Sequence, residues 1–328
     1  MRFQQPSRRA MLSTALVGLS RLPEAAIASI PAASAHSSAQ IASGLIRNLV
    51  AETPEIGGTL LRLAFHDCVT RDGAEGGSNG SVRFELDWRE NRHLDVAISA
   101  LDPIHQSVGS DLSYADLIVL AGAEAVAAAG GPTISMRELG TGRIDASKAD
   151  PRSLRAPVIG GRDPCPPAPA ECRSRISSTL PEPGLSTDGM RAYFRRLGFS
   201  DDELVALCGA HSLGRHASLL GVSRECLRMK PAMSDACIET GKRLPFVSSH
   251  PDQFDNSYFA ALLRWRAQSL EPGEAYFIPT DVTLVLDPVF RRIVMRFARD
   301  ESAFFNAWRR AYVKLAHIGF TQGRTTPK

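Results

Sequence analysis

Apolar residues recur at three- and four-residue intervals along most of this 328-residue chain, the spacing that lines one face of an α-helix. Nine stretches carry that pattern: 41–50, 58–70, 94–107, 114–129, 189–197, 201–216, 257–269, 288–299 and 303–317. Several open on helix-start signals. Ser113 precedes Tyr114, Ser200 is followed three residues on by Glu203 as in a capping box, and Asp287 precedes Pro288. Alternating β-branched runs are nearly absent, so the predicted class is all-α. The Pro- and Gly-rich stretches 130–186 and 219–254 read as long loops, and Ile278-Pro279-Thr280-Asp281 reads as a loop that sets one acid between apolar neighbours. No internal repeat and no linker between independent domains is visible.

Composition changes this picture little. Hydrophobic residues make up 44% and charged residues 22%, ordinary for a globular protein. No run of 18 apolar residues offers a membrane span. The net charge of +3 sits at the N-terminus, where Arg2, Arg8, Arg9 and Arg21 face Glu24 alone. The rest is neutral by count, which argues against nucleic acid as a partner. Residues 1–35 themselves read as an export leader: a paired arginine, an apolar stretch from Ala10 to Leu19, and small residues ending Ala33-Ser34-Ala35. The arginine pair suggests the twin-arginine route, which serves the thylakoid lumen and the bacterial periplasm. Of six cysteines, Cys165 with Cys172 and Cys226 with Cys237 could close small loops, whereas Cys68 and Cys208 lie in helical patterns as buried thiols. No CxxC occurs, so a zinc ribbon is not expected.

Three short stretches carry candidate chemistry. In Leu60-Leu61-Arg62-Leu63-Ala64-Phe65-His66-Asp67-Cys68, a helix puts Arg62, Phe65 and His66 on one face at i, i+3 and i+4. A cation, an aromatic ring and a base would share one cavity, the set that cleaving a peroxide needs. A lone Arg/His pair is more often an ordinary surface or core pair. In Leu207-Cys208-Gly209-Ala210-His211, small residues before a histidine would let a flat cofactor approach. Neutral imidazole is a common haem ligand, although on this stretch alone a core histidine bonded to a carbonyl is the more frequent case. Asp281 could take the other N–H of such a ligand, or simply cap a helix or turn.

Together these stretches resemble the plant, fungal and bacterial haem peroxidase superfamily, and within it ascorbate-peroxidase-like proteins. The markers appear in order: LLRLAFHD (60–67), GGSNGS (76–81), LSYADLIVLAGAEAV (112–126), GGPTI (130–134), GFSDDELVALCGAHSLGRH (198–216), FDNSYF (254–259), IPTDVTLVLDPVF (278–290) and AFFNAWRRAYVKL (303–315). The resemblance runs from about Ile41 to Phe320. It implies an all-helical domain over 36–328 holding haem b between a distal lobe of about 36–185 and a proximal lobe of about 186–328. Arg62 and His66 would be the distal pair and Phe65 the distal aromatic. Asn91 would hold the tautomer of His66, with Glu85 orienting Asn91. His211 would ligate the iron with Asp281 as its partner. The implied activity reduces hydrogen peroxide, through a ferryl intermediate, with electrons from a small organic donor.

Three departures qualify the resemblance. Phe246 stands where ascorbate and cytochrome c peroxidases keep a proximal tryptophan. Pro54 and Leu220 replace the basic residues used for ascorbate, which argues against ascorbate as the donor. Asp67, Gly77, Asn79 and Ser81 match a distal calcium loop, but Asn79 replaces an acid. A rival class is a non-catalytic, peroxidase-like structural protein of the thylakoid lumen; it predicts damage to the distal pair or the iron ligand, and none is seen. GGPTI and GRID (142–145) have a plant-like character that favours the chloroplast thylakoid lumen, peripheral to its membrane, over the periplasm.

Overall fold

The structure, a computed structural model, describes residues 35–150, 180–181, 185–222, 238–247, 250–265 and 277–320. The stretch read as a leader, up to residue 34, and the four loop cysteines fall outside them. Among the described residues the fold is mostly helical, as the periodicity predicts, and no helix is long and apolar enough to cross a membrane. Helix α1 is Ala35–Glu52, α2 is Ile56–Cys68, α3 is Leu94–Val108 and α4 is Tyr114–Ala128. The short α5 (Met136–Leu139) precedes α6 (Thr187–Arg196) and α7 (Asp201–Cys208). After a two-stranded ribbon come α8 (Ser257–Arg264), α9 (Pro279–Leu286), α10 (Pro288–Arg299) and α11 (Glu301–Ala316).

Helix α4 is the hub of the N-terminal half. Nearly all its residues are buried, and α1 and α2 pack along it. Its start is fixed twice: Ser113 accepts the amide of Asp116, and the Asp145 carboxylate accepts the amides of Tyr114 and Ala115 at 3.0 and 2.8 Å. Arg143, from the same GRID stretch, is buried. Its guanidinium donates to Asp116 Oδ1 at 2.7 Å and to the carbonyls of Leu139, Gly140 and Ala316. A buried cation costs much less when its donors are filled in this way, and this one ties α4 to the end of α11. Helix α11 also packs on α7 and reaches α2, so it links the two halves. An aromatic cluster of Phe254, Phe259, Phe297, Phe304 and Trp308 fills the C-terminal half.

The structure corrects three sequence expectations. The helix expected over 201–216 ends at Cys208; a 3-10 turn, Gly209–Ser212, follows and then an extended chain. Gly214, at φ 99°, turns the chain in the left-handed region that ordinary residues avoid. Next, the loop expected over 219–254 carries an antiparallel ribbon, β1 (Arg215–Val222) with β2 (Ile238–Pro245), in irregular register. Neither strand alternates polar with apolar residues, so periodicity could not show it. Finally, Asp281 sits in the first turn of α9, with Pro279 at the helix start, and not in a loop.

The start of α2 crosses the Gly214 turn at backbone contact. A Cβ on Gly58 would lie 2.5 Å from Gly214 Cα, and one on Gly214 would lie 2.9 Å from Gly58 Cα. This crossing fixes the His66 helix against the His211 turn. Gly214→Ala would bring both a left-handed strain and a clash, so an expected loss of about 1–3 kcal/mol should appear as a lower urea midpoint. An unchanged midpoint would show that the crossing can relax.

Candidate active site

Helix α2 presents Arg62, Phe65 and His66 one turn apart, all partly exposed. Both polar members anchor on one short turn, Arg89–Asn91. His66 Nδ1 lies 2.7 Å from Asn91 Oδ1, and Asn91 Nδ2 donates to the Glu85 carbonyl at 3.0 Å. The second bond commits the amide nitrogen to Glu85, so the oxygen faces the ring. His66 Nδ1 is then the donor, and its Nε2 carries the lone pair. Arg62 donates to the carbonyls of Glu90 and Arg92, on either side of Asn91. Glu85 thus reaches Asn91 through its main chain; its carboxylate accepts the amide of Asp150 at 2.9 Å.

Burial and then the Arg62 charge push the His66 pKa down to about 3, against a smaller opposing effect of Asn91. At neutral pH the ring is an uncharged base beside a fixed cation. His93, which follows the turn, has the one positive φ among the described non-glycine residues, 66°. It reverses the chain into α3.

His211 lies in the 3-10 turn after α7. Its Nδ1 is 2.8 Å from Asp281 Oδ1, and the imidazole side chain is 27% exposed while the carboxylate is 1% exposed. Asp281 is held at both oxygens: Oδ1 also accepts the Tyr258 hydroxyl at 2.7 Å, and Oδ2 accepts the Ile278 amide at 3.0 Å. Phe246, just after β2, stacks flat on His211, with centroids 4.0 Å apart and planes 2° apart; His216 covers its other face at 3.8 Å. The base of the ribbon is held by a bidentate Arg215–Asp252 pair at 2.6 and 3.0 Å.

The sequence reading missed Tyr258. FDNSYF was visible as a marker, but no spacing linked its tyrosine to an acid 23 residues further on. The structure also brings the calcium candidates close together, most of their polar groups bonded to neighbours in the same loop region and the buried Ser81 Oγ without a hydrogen-bond partner. Asp67 accepts the amides of Gly80 and Val82, and burial pushes its carboxyl up to about 7 despite those bonds. Asn79 joins Asp150 to the Ser81 amide, and the Gly77 amide donates to Thr70. Among the described residues no group of three or more acids, histidines and cysteines is placed to hold a metal ion. Pro54 is exposed, and Leu220 lies on β1 opposite Arg243. Cys68 and Cys208 are free thiols, Cys68 buried as expected and Cys208 only partly buried.

The donor chemistry fits a haem. A histidine whose Nδ1–H is given to a buried carboxylate keeps Nε2 as a good ligand atom and gains basicity. Its half-open face leaves room for a flat partner.

Comparison with known proteins agrees with this geometry. The family profile described as Peroxidase matches residues 42–300. The chain is 32% identical over 280 residues to cytosolic L-ascorbate peroxidase 1 of Oryza sativa subsp. japonica, covering 84% of this chain and 90% of that one. It is 32% identical over 272 residues to peroxisomal L-ascorbate peroxidase 5 of Arabidopsis thaliana, covering 82% and 78%. It is 34% identical over 287 residues to a predicted heme-binding peroxidase of Cryptococcus neoformans var. neoformans serotype D, covering 82% and 73%. A histidine held by an amide on one helix, a histidine held by a carboxylate on a turn, and a family match spanning both place this chain in the peroxidase family, as an ascorbate-peroxidase-like member of the haem peroxidase superfamily.

Proposed function

We propose that this haem peroxidase reduces hydrogen peroxide with His66 as its acid–base residue and His211 as the iron ligand. One observation carries the reading: both imidazoles give Nδ1 to an oxygen, but to oxygens of different kinds. A neutral amide leaves His66 Nε2 a weak base that can accept a proton and release it. A carboxylate makes His211 electron-rich and keeps it fixed. Haem b, when bound, supplies the redox centre that takes two electrons from a donor and passes them to the peroxide.

The protein's own residues handle the protons. His66 Nε2 takes one from the oxygen of hydrogen peroxide that stays and gives it to the oxygen that leaves, so the leaving group departs as water rather than hydroxide. The Arg62 charge, fixed by the carbonyls of Glu90 and Arg92, lowers the cost of negative charge developing on that oxygen. Asn91 keeps His66 in the tautomer with Nε2 unprotonated. Phe65 supplies an apolar wall. Phe246 stacks on the face of His211 and offers no hydrogen bond.

The donor in this reading is a small organic reductant other than ascorbate. Pro54 and Leu220 carry no charge to hold an ascorbate anion, and Arg215 is engaged with Asp252. Small phenols should therefore be oxidised with a higher kcat/KM than ascorbate in side-by-side turnover of the haem-loaded protein. Saturable ascorbate turnover faster than with phenols would overturn this part. The proposal places the mature domain at 36–328 after a twin-arginine-type leader, in the thylakoid lumen or in a periplasm.

A further inference from the structure

Asp281 Oδ1 is one oxygen serving two donors, His211 Nδ1 at 2.8 Å and the Tyr258 hydroxyl at 2.7 Å. Its other oxygen is taken by the Ile278 amide. Tyr258 is fully buried, and its ring meets the His211 ring edge-on at 5.9 Å. The hydroxyl has no solvent to turn to, so it is committed to the carboxylate.

We propose that Tyr258 is a positioning residue that weakens the proximal histidine as an electron donor by sharing its carboxylate oxygen. The reasoning is electrostatic and rests on the assignment of His211 as iron ligand. A carboxylate oxygen that accepts one strong hydrogen bond has less charge to offer a second. With Tyr258 bonded, Asp281 pulls less on the His211 Nδ1 proton, and the imidazole carries less negative charge. Its Nε2 then donates less to iron, which favours the reduced metal. Phe246, on the adjacent face, has no donor with which to do the same. Tyr258 is thus the side chain by which this fold tempers the ligand without touching it.

Two substitutions move the effect in opposite directions. Tyr258→Phe leaves the ring and deletes the hydroxyl. Oδ1 then belongs to His211 alone, so the ferric–ferrous midpoint potential of the haem-loaded protein falls. The loss of one charged hydrogen bond should change the ferric/ferrous ratio at fixed potential by about tenfold, equivalent to about 59 mV for one electron. The iron–histidine stretching band in the ferrous resonance Raman spectrum should move to higher frequency. Replacing Tyr258 by a ring-fluorinated tyrosine, a stronger donor of nearly the same shape, should raise the potential and lower the band.

A merely structural hydroxyl would change stability and leave both readouts in place. Equal potentials and Raman bands in all three proteins, or shifts of the same sign in both variants, would overturn the proposal. Failure of the underlying assignment looks different. The unmodified protein would then show no iron–histidine band that depends on His211.

Discussion

Replacing His66 by alanine slows the reaction of the haem-loaded protein with hydrogen peroxide by about 100-fold or more. The size follows from what is lost. Hydrogen peroxide must shed a proton from one oxygen and gain one on the other, and His66 Nε2 is the only neutral base placed on the face of α2 that carries Arg62 and Phe65. His66→Ala leaves the Arg62 charge, so the residual rate measures what the cation does alone. Stopped-flow absorbance under pseudo-first-order peroxide gives the number directly, and an unchanged second-order rate constant would remove His66 from the reaction.

The same residue sets a pH signature. Its pKa is held near 3 by burial and by Arg62, so the base is available throughout the neutral range. The peroxide step should be flat from pH 7 to about pH 4 and fall by half near pH 3, where the lone pair is taken up. Stability moves the same way. An unfolded histidine takes a proton near its ordinary value of 6.5, whereas the folded one waits until about 3. Between those values the unfolded chain binds more protons, so acid favours unfolding, and stability declines as pH falls through that window. His66→Ala should show a shallower decline. An equal slope in both proteins would mean that the ring is protonated in the fold well above pH 3.

The second large effect is expected at His211. His211→Gly should abolish the absorption spectrum of a five-coordinate, histidine-ligated haem, and free imidazole should restore it by filling the space left. Rescue is credible because the surroundings are built independently of the side chain. Asp281 is held by Tyr258 and by the Ile278 amide, and Phe246 also packs on His216 of the ribbon. Asp281→Asn should be milder, on the order of 10–100-fold in haem affinity or activity, as for other partners of metal-bound histidines. A His211→Gly protein that kept the native spectrum without imidazole would place the ligand elsewhere.

Much of this was legible in the sequence, for reasons that differ by residue. Arg62, Phe65 and His66 share one helix, and helical spacing alone puts them on one face. Asn91 and Asp281 are far from their histidines, so only the ordered family markers could assign them; the structure then places each within 2.8 Å of its ring. Tyr258 and the ribbon were not legible. The tyrosine acts through an acid that folding brings near, and strands such as Arg215–Val222 lack the two-residue alternation that marks a half-buried strand. The end of α7 at Cys208 was also hidden, because Ala210 and Leu213 keep apolar residues at helical intervals past Cys208, up to the turn at Gly214. The GRID stretch was read as a mark of origin. Its arginine and aspartate prove to be anchors, one buried and donating to the Ala316 carbonyl that ends α11, the other capping α4.

If His211 holds haem and His66 moves the peroxide protons, both show in a single experiment: an absorption spectrum of the protein lacking residues 1–35, taken after haem addition and again after one equivalent of hydrogen peroxide. The expected result is a high-spin, histidine-ligated spectrum that shifts within the mixing time and returns on adding a phenol. A protein that takes up no haem, or whose bound haem is indifferent to one equivalent of peroxide, would rule out both roles.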